Sequence, residues 1–172
     1  PETVTRLMDM GIEPFNVASA LNLVLAQRLV RRVCKNCAEA YKMDAAEISA
    51  AKVEGLTLRD MHFTDMALSD AKAKATEAAK PFMEQITLDT KMEDLPTFRG
   101  RGCEQCEGSG LRGRQGLYEV LNMTPRLRKL IMQSAGAAEI QKAAIEEGML
   151  TLRMDGWLKV LKGITPLDQV VR

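Results

Sequence analysis

Two Cys-x-x-Cys pairs, Cys34-Lys-Asn-Cys37 and Cys103-Glu-Gln-Cys106, hold all four cysteines of this chain and constrain its fold more than any other feature. A structural Zn²⁺ takes four ligands at tetrahedral geometry, and thiolates two residues apart in a tight turn reach one ion without strain. Two such turns brought together close a site, with no fifth cysteine left over. Residues 38–102 then become an insert clipped at its base by the metal, and closing a long loop is where such a clip removes most unfolded-chain entropy in principle. Two disulfides and four unconnected buried cysteines are the competing readings. A catalytic zinc is disfavoured, because four thiolates leave no position open for substrate. His62, the single histidine, reads as a surface residue of the insert.

The rest of the chain does not need cysteine staples, since 172 residues suffice for one ordinary domain or two small ones with a core of their own. Lys+Arg 24 against Asp+Glu 23 leaves a net charge of +1, so no global field favours nucleic acid or an anionic membrane. No stretch reads as a signal peptide or a membrane span: the most apolar run, Val17 to Ala26, contains Asn22 and is far shorter than the roughly 20 residues required. That favours a reducing compartment, in which cysteines serve as metal ligands. The chain begins at Pro1 and runs straight into helical periodicity, which leads us to expect the carboxyl-terminal piece of a longer protein.

Aromatics are 4% of residues and strong helix formers dominate, so the expected class is mostly α with a few short strands, α+β. Pro14 suits the first turn of a helix expected to run to about Val33, apolar on nearly all sides and therefore buried in a layered core. In the insert, helices are expected from Asp44 to Val53 and from Ser69 to Lys80, the second with Ser69 as cap and Pro81 as stop. Gln85 to Leu88 is the one strand hint there, and Lys91 to Pro96 reads as a loop. Gly110 to Gly116 reads as a glycine and arginine turn leading into a strand at Leu117 to Leu121. Beyond it, Thr124-Pro125 and Thr165-Pro166 look like caps with first-turn prolines, and Gly148 and Gly163 like helix-ending glycines. Thr124 to Arg172 is expected to form one compact helical module with Trp157, the single tryptophan, in its core.

Catalytic chemistry finds no footing. There is no G-x-S-x-G elbow, and a Cys-His pair would have to recruit His62 and sacrifice a metal ligand. Gly108-Ser-Gly110-Leu-Arg-Gly113 matches G-x-G-x-x-G, but a dinucleotide loop needs a strand before it and a helix after it. The chain contains no Gly-Lys dipeptide, so there is no Walker A loop to cradle a triphosphate.

Three segments in order, MDMGIEPFNVASALNLVLAQRLVRRVCKNC (Met8 to Cys37), GRGCEQCEGSGLRGRQGLYEVL (Gly100 to Leu121) and GMLTLRMDGWLKVLKGITPLDQVV (Gly148 to Val171), resemble the carboxyl-terminal third of the secretion ATPases that drive type II secretion and type IV pilus assembly. The resemblance implies the tail of a RecA-like α/β motor domain over residues 1–33. It further implies a tetracysteine zinc subdomain with a helical insert over 34–110, and a small carboxyl-terminal helical domain over 111–172. It also implies a homo-hexamer at the cytoplasmic face of the inner membrane, working with an inner-membrane platform protein and attached peripherally through partners. Its parent would be an ATP hydrolase using ATP and Mg²⁺ bound outside this chain, which alone is expected to be inactive. The metal set is Cys34, Cys37, Cys103 and Cys106 for structural Zn²⁺. Arg28, Arg31 and Arg32, at i, i+3 and i+4 of the expected helix, are candidates for a subunit boundary, against the simpler reading of a solvated helix end. Two other classes compete. Cys103 to Gly110 is similar to one repeat of the zinc module in DnaJ-type chaperones, which use several. A nucleic-acid-binding zinc ribbon would want aromatics among its cations, and Arg99, Arg101, Arg112 and Arg114 have only Tyr118 nearby, so no nucleic-acid partner is expected.

Overall fold

The computed structural model describes residues 2–171. The order is α1 (Glu2–Asp9), α2 (Pro14–Ala20), β1 (Leu23–Val33), β2 (Ala38–Tyr41), α3 (Ala45–Ala51), α4 (Asp65–Ala73), α5 (Lys80–Met83), β3 (Thr97–Gly100), β4 (Leu111–Asn122), α6 (Pro125–Met132), α7 (Ala137–Glu146) and α8 (Leu152–Leu161), with three short 3₁₀ turns. The class is α+β. Two compact units divide the chain: residues up to Gln27 with Tyr118–Leu152, and Arg28–Leu117 with the residues from Arg153 on.

The first unit packs α1, α2, α6 and α7 around Val4, Val17, Ala18, Leu127, Ile131, Ile140, Ala143 and Ala144. Each helix is too short to persist alone in water, so this shared apolar face is what keeps it folded. The punctuation works locally. Thr124 Oγ1 accepts from the Leu127 N–H at 3.2 Å with Pro125 in the first turn, and Gly148 closes α7 at a φ of +97°.

In the second unit β2 and β3 form an antiparallel pair, Ala38 opposite Gly100 and Tyr41 opposite Thr97. α3 carries a complete capping box, with Asp44 accepting from the Glu47 N–H and Glu47 accepting from the Asp44 N–H. α8 is buried all round, with Met154 and every residue from Gly156 to Leu161 inside, and Trp157 only 2% exposed. Gly156 in its middle faces Val170, where a β-carbon would lie 2.6 Å from Cγ1.

β1 and β4 pair as a two-stranded ribbon. The Met123 N–H donates to Asn22 O at 3.0 Å near one end and the Cys34 N–H to Gly110 O at 2.9 Å near the other, so the strands run antiparallel. This corrects the helix expected from Pro14 to Val33. It stops at Ala20, and Leu23–Val33 is extended, with Leu23, Leu25 and Leu29 exposed. A short apolar run fits both periods, and here alternation at Val24, Ala26 and Val30 was the truer signal. β4 likewise begins at Leu111, so the expected glycine turn at Gly110 to Gly116 is mostly strand.

Other boundaries move for local reasons. The helix expected over Ser69 to Lys80 spans Asp65–Ala73 instead, because Thr64 caps it by accepting from the Ala67 N–H. Pro81 opens α5 rather than ending a helix. Gln85 to Leu88 forms no strand; Ile86 and Leu88 are buried anchors of a loop whose Leu88 O accepts from the Arg59 N–H. Met92–Asp94 is a single 3₁₀ turn within the expected loop. Thr165 is no helix cap: its hydroxyl donates to Arg31 O at 2.7 Å. The single module expected over Thr124 to Arg172 is divided, since α6 and α7 belong to the first unit's core and α8 to the second unit. Arg172 lies outside the described residues.

Candidate metal centre

Each cysteine pair sits in a tight turn built by the backbone. In the first, the Cys37 N–H donates to Cys34 O at 3.3 Å, directly after β1 ends. In the second, the Cys106 and Gly108 N–H groups both donate to Cys103 O, at 3.2 and 3.0 Å, and Ser109 Oγ donates to Cys106 O at 2.6 Å. The Arg101 N–H donates to Cys37 O at 3.0 Å and the Cys34 N–H to Gly110 O, so the two turns are stitched together by main chain.

Glycine makes that stitching sterically allowed. A β-carbon on Gly100 would stand 2.1 Å from Gly110 O, and one on Gly110 would stand 2.3 Å from Gly100 O. Contacts that short do not exist between folded atoms, so both positions require a hydrogen. The glycines flanking the second pair are thus a packing requirement, and the G-x-G-x-x-G match at Gly108 to Gly113 leads into β4 with no helix for a phosphate to cap.

All four sulfurs lie within 4.8 Å of one another. Cys34 to Cys103 is 3.9 Å, Cys37 to Cys106 is 3.8 Å and Cys103 to Cys106 is 3.6 Å. A tetrahedral ion with Zn–S bonds of about 2.3 Å sets its sulfurs about 3.8 Å apart, so the donor set fits Zn²⁺ without rearrangement. All four cysteines are free, and three are buried. This geometry answers neither to disulfides nor to four unconnected core cysteines. Among the described residues no other cluster of potential ligands of this kind occurs, and His62 is exposed in a turn.

The thiols differ in how readily they ionise. Burial pushes the Cys37 thiol up to about 12, whereas a hydrogen bond from the Asn36 side chain brings Cys103 down to about 6. Four thiolates this close repel, and a divalent ion at their centre reverses that balance. The Cys103 and Gly110 N–H groups donate to Cys106 Sγ at 3.2 and 3.3 Å and stabilise a thiolate there. Neither these amide donors nor Asn36 could be singled out from spacing, although the glycines beside the cysteines were a visible hint of close backbone.

The arginines of the same segment do not form the cationic helix face expected of them. Arg28, Arg31 and Arg32 lie on β1, where alternate residues face opposite ways, so Arg31 parts from the other two. The Arg31 backbone is bonded on both sides, its N–H to Gln169 Oε1 and its carbonyl to the Thr165 hydroxyl.

A family model described as Type II/IV secretion system protein matches residues 1–172. A type IV pilus assembly ATPase PilB of Myxococcus xanthus is 37% identical over 171 residues, 99% of this chain and 24% of the relative. A protein of the same name from Thermus thermophilus is 35% identical over 170 residues, 99% of this chain and 15% of the relative. The type II secretion system ATPase E of Vibrio cholerae serotype O1 is 36% identical over 169 residues, 98% of this chain and 26% of the relative. The chain therefore spans about a quarter or less of the length of these relatives. With nearly every residue aligned and the four cysteines gathered at one point, the chain belongs to the type II/IV secretion system protein family.

Proposed function

We propose that this chain is the zinc-stabilised carboxyl-terminal portion of a hexameric, ATP-driven motor that powers type IV pilus assembly or type II protein secretion, and that its own task is structural. The observation that carries this is the alignment of almost the whole chain with pilus and secretion ATPases, together with four cysteine sulfurs gathered where one metal ion could bind. In this reading ATP and Mg²⁺ bind elsewhere in the parent, which works at the cytoplasmic face of the inner membrane, attached peripherally through a platform protein. No described helix is long and apolar enough to cross a membrane. Residues 34–110 serve as the zinc subdomain. We keep residues 1–33 as the remainder of the RecA-like core and 111–172 as the carboxyl-terminal helical domain by resemblance to the family, although the two compact units cut across those limits.

The four thiolates would hold Zn²⁺, which supplies charge and fixed geometry and no reaction. Cys34 follows β1 directly, and Cys106 with Gly110 leads into β4, so the centre ties the ribbon to the base of the β2/β3 pair. A motor part that transmits force needs such a joint to be rigid. Steady-state phosphate release tests the division of labour: the isolated chain releases none above background, and ATP-dependent release by pure chain would contradict it. In the parent, Arg28→Ala tests the boundary role suggested for Arg28, Arg31 and Arg32. Reduced hexamer formation or turnover supports that role, and behaviour identical to the unaltered motor removes it.

A further inference from the structure

We propose that the cavity beside the first cysteine turn binds a phosphate group carried by a small ligand. It has a volume of about 390 Å³, and its lining includes Arg32, Lys35, Lys74, Thr76, Glu77 and Gly163. That size falls within the range of roughly 300–1,000 Å³ typical of small-molecule sites.

Charge gives the ligand its sign. Glu77 is the one carboxylate in the lining, and Lys80 already holds it at 2.5 Å. Outside the lining, Asp70 is shared between Lys74 at 2.5 Å and Lys162 at 3.2 Å. Arg32 and Lys35 make no ion pair among the described residues. Five cations thus share two carboxylates. A dianion satisfies such an excess better than a single carboxylate, with the Arg32 fork able to take two oxygens and the lysines acting as point charges.

A second observation points the same way. Thr76 Oγ1 is enclosed in the cavity wall and has no hydrogen-bond partner, one of two such buried side-chain atoms among the described residues. Its backbone is held, the N–H donating to Lys162 O at 2.9 Å, while its hydroxyl abuts Gly163. Threonine has more than one staggered χ1 well, so a turn of the side chain gives this hydroxyl to an anion in the cavity. The simpler account of the cations, that they balance the four thiolates and their metal, leaves the orphan hydroxyl and the hollow unexplained. This proposal stands on the cavity alone and not on the motor reading.

The test titrates inorganic phosphate, ADP, and vesicles of phosphatidylglycerol in phosphatidylcholine separately into the zinc-loaded chain, following backbone amide shifts. Saturable shifts at Lys35, Thr76 and Gly163 are expected, weakened about tenfold by Lys35→Ala and by Lys74→Ala, the loss of one charge-assisted contact each. Lys74 is distant in sequence from the cysteines, so Lys74→Ala remains informative should Lys35→Ala disturb the metal. Binding of ADP or phosphate supports the proposal, whereas binding to the vesicles alone assigns the site to a lipid headgroup and overturns it. Absence of saturable shifts with all three probes, shifts spread over lysines outside the cavity, or affinity unchanged in both variants overturns the proposal.

Discussion

A β-carbon on Gly110 would collide with Gly100 O at a φ of +70°, so this one residue carries both a steric and a conformational constraint. Gly110→Ala is therefore expected to destabilise the chain by about 2 kcal/mol or more and to weaken metal retention, because the same residue's N–H donates to Cys106 Sγ. Chelator competition reads the second effect directly, and retention equal to the unaltered chain would refute it. Asp70 makes a different kind of contribution. Hydrogen bonds from Lys74, then Lys162, hold its carboxyl below the ordinary carboxylate range. A folded-state pKa below the unfolded value of about 3.9 adds stability that is fully present above that value and is lost as pH falls through the folded pKa. Asp70→Asn should thus lower the midpoint of denaturation at neutral pH, modestly because the carboxylate is half exposed. The gap from the unaltered chain should close below about pH 4. A gap that persists in acid would assign the effect to packing instead.

At the scale of elements, α8 makes the sharpest prediction. Trp157 is buried, and its Nε1 finds no hydrogen-bond partner. Trp157→Ala should cost roughly 3–5 kcal/mol, whereas Trp157→Phe should cost clearly less, since no hydrogen bond is lost with the indole. Equal costs in denaturant melts, or red-shifted tryptophan emission from the folded chain, would contradict this burial. Elements differed in how plainly the sequence announced them. The Thr124-Pro125 cap and the helix start at Asp44 were legible because they rest on contacts three residues apart. Leu23–Val33 was not, because an apolar run next to Pro14 satisfies a helical stripe, and only pairing with β4 decides for a strand. β2 and β3, four residues each, carry too few positions for any period to show. The cavity beside Lys35 was invisible for a deeper reason: its lining comes from three separated stretches, around Lys35, Thr76 and Gly163.

In the whole molecule, the four sulfurs that one metal ion would join come from turns 69 residues apart in sequence. That the four cysteines would gather at one point was readable from Cys-x-x-Cys spacing, and their sulfurs lie within 4.8 Å of one another. What spacing could not supply was the main-chain stitching through Gly100, Gly110 and Arg101 that brings the turns into register. Metal content measured together with thiol reactivity on the native, purified chain decides most directly whether one ion joins the four sulfurs. About one zinc per chain is expected. All four thiols should then be protected until a chelator or denaturant is added, and reactive together afterwards. Metal-free protein that is folded and offers four freely reacting thiols under native conditions would contradict it.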